Sequence, residues 1–286
     1  MRPLDLLIGA VFAGVIALVA WRARALTRSG AVAAFIVGAL TYGSGAVGFT
    51  LILLAFFVSS VVLSRLGRAR KRALVDVGKS GARDATQVLA NGGIATACAV
   101  AFAFTHDVRW AVAFAGAYAA ATADTWATEI GTLAGQAPRS IVNFRPIATG
   151  LSGGVTLPGT LAELAGALFI AIITPIAIAL ASARAAMTLG SGFGFSVAFP
   201  VGVNAIAVVA IAGLAGATLD SLLGATVQEL RRCDVCKRTC ETDPHACGRP
   251  THLVRGIPGA SNDVVNLAAT LAGALVALAL AAAASL

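Results

Sequence analysis

Charge is what this sequence most lacks. Asp, Glu, Lys and Arg make up 12% of its 286 residues, about half the roughly 25% of an ordinary soluble domain. Hydrophobic residues reach 58% and the mean hydropathy is +0.87. So little polar side chain cannot cover a water-facing surface of this size, which excludes a soluble globular domain. Acids are scarcer than bases, 13 against 21, leaving a formal net charge of +8. A basic rim facing anionic headgroups and phosphates accounts for that excess better than a nucleic-acid surface does. Small residues are plentiful instead. There are 31 glycines, as expected where helices pack closely in lipid.

A helix crosses the hydrocarbon core in about 20 apolar residues. Apolar runs fall at roughly 3–21, 30–43, 46–64, 89–105, 109–133, 157–182, 194–222 and 262–285. They predict an all-α, polytopic transmembrane bundle of about eight spans, a single integral membrane domain over 1–286. The second run is short and glycine-rich, and is expected to pair with the third as a re-entrant segment or a close hairpin. A secretory signal is not expected, because the first run has only Arg2 ahead of it and further spans behind it. Eighteen of the 21 Lys and Arg fall in the odd-numbered connections, leaving Arg2, Arg109 and Arg184 on the other side. The bias of basic residues in short loops makes the odd connections cytoplasmic and points both termini outward.

Ionisable residues inside spans face the bundle interior and are functional candidates by default. Four segments carry them. Asp84, Gln87 and Asn91 are three and four residues apart, so they share a helical face, with Lys79 and Arg83 just before them. Capping is the simpler reading of the first two, but it does not explain Asn91. Asp124 and Glu129 stand among Thr122, Thr125 and Thr128 in a helix otherwise made of Ala and Gly. Asp220 lies in an Ala-Thr-Xaa-Asp-Ser segment that echoes the sequence around Asp124. Asn262, Asp263 and Asn266 open the last span, where either of the first two would serve as an N-cap. All four segments fall at the basic ends of their spans. Carboxylates gathered at one depth suit a hard cation such as Mg²⁺, which shares oxygen ligands with substrate phosphates. Protons or Na⁺ are the competing occupants. Asp124, Glu129, Asp220 and Asp263 are the candidate Mg²⁺ ligands.

The fifth connection contains Gly150-Leu151-Ser152-Gly153-Gly154-Val155-Thr156, then Pro158 and, one turn into the span, Glu163. Ser152, Gly153 and Gly154 are candidates for an anion cradle ahead of a helix N-terminus. A tight return into the membrane would need the same glycines. The seventh connection, a loop over 224–258, holds four of the five cysteines. Cys-x-x-Cys followed by His-x-Cys has metal-ligand spacing, and a reducing compartment disfavours disulfides. A structural Zn²⁺ on Cys233, Cys236, His245 and Cys247 is expected, with Cys240 as substitute ligand and free thiols as the alternative. Cys98, mid-span, reads as a small buried apolar residue.

The segments 81–92, 123–131, 150–156, 220–228 and 262–266 together resemble an integral membrane family that includes human transmembrane protein nineteen and the plant phytyl-phosphate kinase. The match runs from about residue 25 to the C-terminus. The resemblance implies a kinase for an isoprenyl monophosphate such as phytyl or geranylgeranyl phosphate, with a nucleoside triphosphate, CTP favoured, as co-substrate. The Cys/His loop is a feature of prokaryotic members, which implies a prokaryotic plasma membrane. Where the family often has Asp-Asn entering the last span, this chain has Asn262-Asp263. In the implied roles the four carboxylates hold Mg²⁺, while Gln87, Asn91, Asn262 and Asn266 orient them or meet phosphate oxygens. Lys79, Arg83 and the 150–156 loop neutralise the triphosphate, and Asp84 is available as a base. The competing readings are a secondary transporter using the same acids for H⁺ or Na⁺, and a cytidylyl or phospho-alcohol transferase.

Overall fold

A computed structural model describes residues 2–67, 81–189 and 195–286. Lys79 lies outside the described residues. The elements in chain order are α1 (Pro3–Arg22), α2 (Arg28–Arg65), α3 (Ala85–Thr105), α4 (Val108–Ala134), β1 (Arg139–Ser140), β2 (Gly154–Val155), α5 (Leu157–Leu189), α6 (Phe195–Thr226), β3 (Leu230–Cys233), β4 (Thr239–Cys240), β5 (Thr251–Arg255) and α7 (Asn262–Ala283). This is an all-α transmembrane bundle with small strands confined to two connections.

Among the described residues, six helices are long and apolar enough to cross a membrane. One of them, α2, is long enough for two crossings. At 38 residues and about 1.5 Å per residue it is far longer than the hydrocarbon core. It is broken at Ala46, whose φ of 47° and ψ of −136° are not helical. The first leg runs antiparallel to α1, with Gly14 against Phe35, Ala13 against Gly38 and Gly9 against Tyr42. The second leg returns, so that Arg65 donates to the Ala23 carbonyl at 2.7 Å. The expected close hairpin is thus a helix folded at one residue. Gly45 and Gly48 make the fold possible, since a Cβ at either would meet the Phe49 ring or the Ala177 carbonyl within 2.3 Å.

The helix α4 is not among those six, and composition marks it as least suited to lipid. It is enclosed instead. Every residue from Ala111 to Ala123 is buried, and α2, α3, α5, α6 and α7 all pack on it. Small residues allow that crowding. A Cβ on Gly116 would lie 2.5 Å from that of Ala277, and one on Gly216 would lie 2.5 Å from that of Ala120. Away from the basic face, Phe49 stacks on Phe114 (4.4 Å between centroids), and Tyr118 meets Phe114 and Phe56 edge-on or tilted. These rings fill the bundle centre. At the far face, Arg184 of α5 is ion-paired with buried Asp5 of α1.

The seventh connection is a folded unit, not a plain loop. β3 pairs antiparallel with both β4 and β5, giving a three-stranded sheet in the order β4-β3-β5.

The turn at Ala46 yields a direct test. A non-glycine residue held in such a backbone region costs about 1–3 kcal/mol, and glycine relieves it. Ala46→Gly is expected to raise the thermal midpoint of the detergent-solubilised protein. A midpoint that falls would contradict a strained turn at this residue.

Candidate functional site

The basic ends of the helices surround a cavity of about 760 Å³. Six of the 13 acids line it: Asp124, Glu129, Glu163, Asp220, Glu241 and Asp263. Arg24, Arg65 and Arg83 line it as well. Of the residues singled out in the sequence, Arg83, Gln87, Asn91, Asp124, Glu129, Ser152, Gly153, Gly154, Asp220, Asn262, Asp263 and Asn266 all reach this one space.

Asp84 does something else. Its carboxylate accepts the Gln87 N–H at 3.0 Å, and the Gln87 side chain accepts the Asp84 N–H at 3.2 Å. This reciprocal capping box starts α3, and Asp84 is not among the residues that line the cavity. A general-base role for it is set aside. Thr86 joins this corner to the last helix by donating to Asp84 at 2.7 Å or to Asp263 at 2.9 Å. The N-cap of α7 is Ser261, so neither Asn262 nor Asp263 fills that position.

Arg83 is positioned by backbone pairing. Its N–H donates to the Ala25 carbonyl, and its own carbonyl accepts from Thr27, both at 3.0 Å. Gly30 is required at this crossing, because a Cβ there would lie 2.1 Å from the Arg83 oxygen. The electrostatic partner of the Arg83 guanidinium is Glu129. Asn91, one turn beyond Gln87, ties its amide nitrogen back to the Gln87 carbonyl at 2.9 Å.

The acids fall into groups that spacing did not separate. Asp124, Glu163 and Asp220 lie within electrostatic reach of one another, and Glu241 also acts on Asp220. Asp220 is only 9% exposed and its Oδ2 has no hydrogen-bond partner among the described residues. Glu163, also 9% exposed, accepts from the Thr218 hydroxyl at 3.4 Å. Like charges near one another in a poorly solvated place favour either a shared proton or a bound cation. Glu129, which acts electrostatically on Arg83, and Asp263, which accepts from Thr86, line the same cavity. Spacing gave Glu163 no ligand role and passed over Glu241 entirely. A lone acid within an apolar run was signal enough for the first. Nothing local marks the second, which arrives from the connection after α6.

The glycine loop has a different use from the one expected. Its Ser152 N–H donates to Glu241 Oε1 at 3.1 Å, so this anion-binding amide already holds a carboxylate of the chain. The Gly154 N–H goes to the Leu151 carbonyl. A Cβ on Gly153, whose φ is +82°, would lie 2.6 Å from the Ala225 nitrogen, and one on Gly224 would lie 3.0 Å from the Ser152 Cβ. The glycines let the loop press on the end of α6. It is a wall of the cavity more than a cradle.

Cys233, Cys236, His245 and Cys247 come together as the spacing predicts, with their ligand atoms all within 4.8 Å of one another. Among the described residues this is the one acid, Cys or His group so compact. Cys240 stays outside it and donates its thiol to the Thr242 carbonyl. Cys98 is buried within α3, as expected of a small apolar side chain.

A family model for integral membrane proteins, DUF92, matches residues 11–274. The chain belongs to the DUF92 family. This DUF92 protein is 30% identical to Protein PGR of Arabidopsis thaliana, over 93% of the chain and 92% of that relative. It is 33% identical to an uncharacterised membrane protein of Methanocaldococcus jannaschii, over 55% of the chain and 65% of the relative. It is 30% identical to the chloroplastic protein VTE6 of Arabidopsis thaliana, over 51% of the chain and 46% of the relative. No solved structure matches it.

Glu241 gives the site a pH signature. Burial raises its pKa above the ordinary 4.5, while hydrogen bonds from Ser152 and Gln228 and the charge of Arg255 pull it part of the way back. The folded state then binds this proton more readily than the unfolded chain does. The resulting stabilisation is full below pH 4.5 and is lost as pH rises through the elevated value. Between those limits the thermal midpoint of the wild type should fall with rising pH relative to that of Glu241→Gln. Parallel curves would contradict the assignment.

Proposed function

We propose that this DUF92 protein is a membrane-embedded kinase that transfers a phosphoryl group from a nucleoside triphosphate to an isoprenyl monophosphate. The resemblance to a family that includes a phytyl-phosphate kinase supports the chemistry and favours CTP. One observation carries the reading on this chain. The polar cavity shares Arg83, Gln87 and Asn91 with a separate apolar groove. That groove runs between α1, both legs of α2 and α3, lined by residues such as Phe12, Ile16, Val37 and Leu53. A lipid phosphate fits such a junction, with its tail in the groove and its charged head beside Arg83.

The cavity opens on one face. A third cavity, at the far face beside Asp5 and Arg184, shares none of its lining residues. Buried Phe49, Phe114 and Tyr118 stand between the two. This favours a one-sided enzyme over a transporter with alternating access. The basic face would be the cytoplasmic one, where nucleotide is available.

In this mechanism Asp124, Asp220 and Glu163 would hold Mg²⁺, and the unpartnered Asp220 oxygen fits that role. When bound, Mg²⁺ neutralises phosphate charge. Arg24 and Arg65 at the rim meet the triphosphate, and Arg83, Gln87 and Asn91 hold the acceptor phosphate. An oxygen of the lipid monophosphate attacks the γ-phosphorus, the bond from the γ-phosphorus to the β–γ bridging oxygen breaks, and a lipid diphosphate and nucleoside diphosphate leave. The acceptor is already an anion and needs no base, in keeping with Asp84 serving as a cap. Positioning and charge neutralisation supply most of such catalysis.

Purified protein with Mg²⁺, labelled CTP or ATP, and phytyl or geranylgeranyl monophosphate should yield isoprenyl diphosphate and nucleoside diphosphate. Asp124→Asn and Asp220→Asn should each lower turnover by about 10²-fold or more while remaining monodisperse. Release of pyrophosphate or CMP would point to a transferase instead. No product with either nucleotide, alongside ion uptake into liposomes, would overturn the kinase reading.

A further inference from the structure

The connection between α6 and α7 folds without an apolar core. Across residues 227–260 the buried side chains are Gln228, Cys233, Cys240 and His245. Of its larger apolar residues, Val235, Val254 and Ile257 are exposed, and Val227, Leu230 and Leu253 are only half-buried. A unit this small with no aliphatic or aromatic side chain fully buried needs another source of folding energy, and a structural metal is the usual one. Two of its four buried side chains, Cys233 and His245, belong to the compact group described above.

The local geometry fits a thiophilic divalent cation. The sulfurs of Cys233 and Cys247 are 3.7 Å apart, against about 3.8 Å for two corners of a tetrahedron with Zn–S bonds of about 2.3 Å. That separation is far beyond a disulfide bond. His245 Nδ1 lies 3.0 Å from the Cys247 sulfur. The two ligand turns are built alike. Cys233 and Cys236 are followed by Lys237 at φ +56°, and His245 and Cys247 by Gly248 at φ +78°. In the first turn the Cys233 N–H donates to the Arg238 carbonyl at 2.9 Å. In the second, the Gly248 N–H closes on the His245 carbonyl at 2.8 Å. Three thiolates and an imidazole suit Zn²⁺, whereas iron–sulfur clusters most often take four thiolates. Arg232, Lys237, Arg238 and Arg249 lie close in sequence and offset the negative charge of the thiolates.

The same turns hold the roof of the cavity. Glu241, Thr242 and Pro244, between Cys236 and His245, line it, as does Ala246 between His245 and Cys247. From this segment Glu241 reaches the wall. One of its oxygens accepts the Ser152 N–H, and the other accepts the Gln228 amide at 2.8 Å. That same Gln228 nitrogen is 2.9 Å from the Ser152 hydroxyl.

We propose that Cys233, Cys236, His245 and Cys247 bind one Zn²⁺, and that this ion fixes the roof of the cavity through Glu241, a positioning residue that ties the Cys/His unit to the 150–154 loop. The site stands on its own geometry and does not depend on the kinase reading.

The full chain, purified in detergent without added metal, should carry one Zn²⁺ per chain by elemental mass spectrometry. After removal of that metal, Co²⁺ should give the visible absorption of a tetrahedral thiolate site. Cys236→Ser and Cys247→Ser should lose the metal, and Cys240→Ser should keep it. If the ligand variants do not fold, the Co²⁺ spectrum of the wild type decides the question alone. For the second half of the proposal, hydrogen exchange is followed in the peptide covering 150–156. Exchange should quicken roughly tenfold after chelation. It should quicken as much in Glu241→Gln, although that variant retains its Zn²⁺ and its thermal midpoint at pH 4.5. Absence of zinc together with a Co²⁺ spectrum lacking thiolate character would overturn the site. Zinc present, with exchange at 150–156 unchanged by chelation and by Glu241→Gln, would overturn the coupling. Neither readout uses turnover, so failure here and failure of the kinase assay are separate results.

Discussion

The constraint on which everything else rests is the enclosure of α4. A helix bearing Asp124 and Glu129 cannot face hydrocarbon, and five other helices shield it. The shielding works because Gly116, Gly213, Gly216 and Gly273 let backbones approach to near contact. Once α4 is central, its polar end must lie where the surrounding helices end. Asp220 of α6, Glu163 of α5 and Asn266 of α7 are then brought to the same cavity. The site is a consequence of burying a polar helix among small residues.

The same constraint separates the two ends of the bundle. Toward the far face α4 carries Phe114 and Tyr118, which pack with Phe49, Phe56 and Phe102 into a solid centre. Toward the basic face it carries carboxylates and threonines. Polar groups therefore open to one side, and the apolar groove beside them opens between α1, α2 and α3. In the proposed function a water-soluble co-substrate and a lipid one would approach by different routes, meeting at Arg83, Gln87 and Asn91, which line both spaces.

Much of this was legible in the sequence because membranes make polar residues expensive and therefore conspicuous. Asp124, Asp220 and Asn266 stand out against Ala and Leu, and the structure gathers them. Cys233, Cys236, His245 and Cys247 were readable from spacing within one short connection. Two things were not readable. Asp84 and Gln87 carry the pattern of both a cap and a site, and only the hydrogen bonds show the cap. Glu241 lies in a polar segment where one more acid is no signal, and its value comes from a fold that places it against Ser152. The glycine loop misled for a related reason. Close packing and anion binding both demand glycine, and contact with Ala225 decides for packing.

In the proposed mechanism Asp124, Glu163 and Asp220 would form the cation-holding floor of a one-sided site. Mn²⁺ titrated into the purified protein and followed by electron paramagnetic resonance tests this most directly. A bound ion is expected, its signal broadened relative to free Mn²⁺ and altered when nucleotide is added, and lost in Asp220→Asn with the Cys/His unit left intact. Mn²⁺ binding that is indifferent to both Asp220→Asn and Asp124→Asn would contradict it.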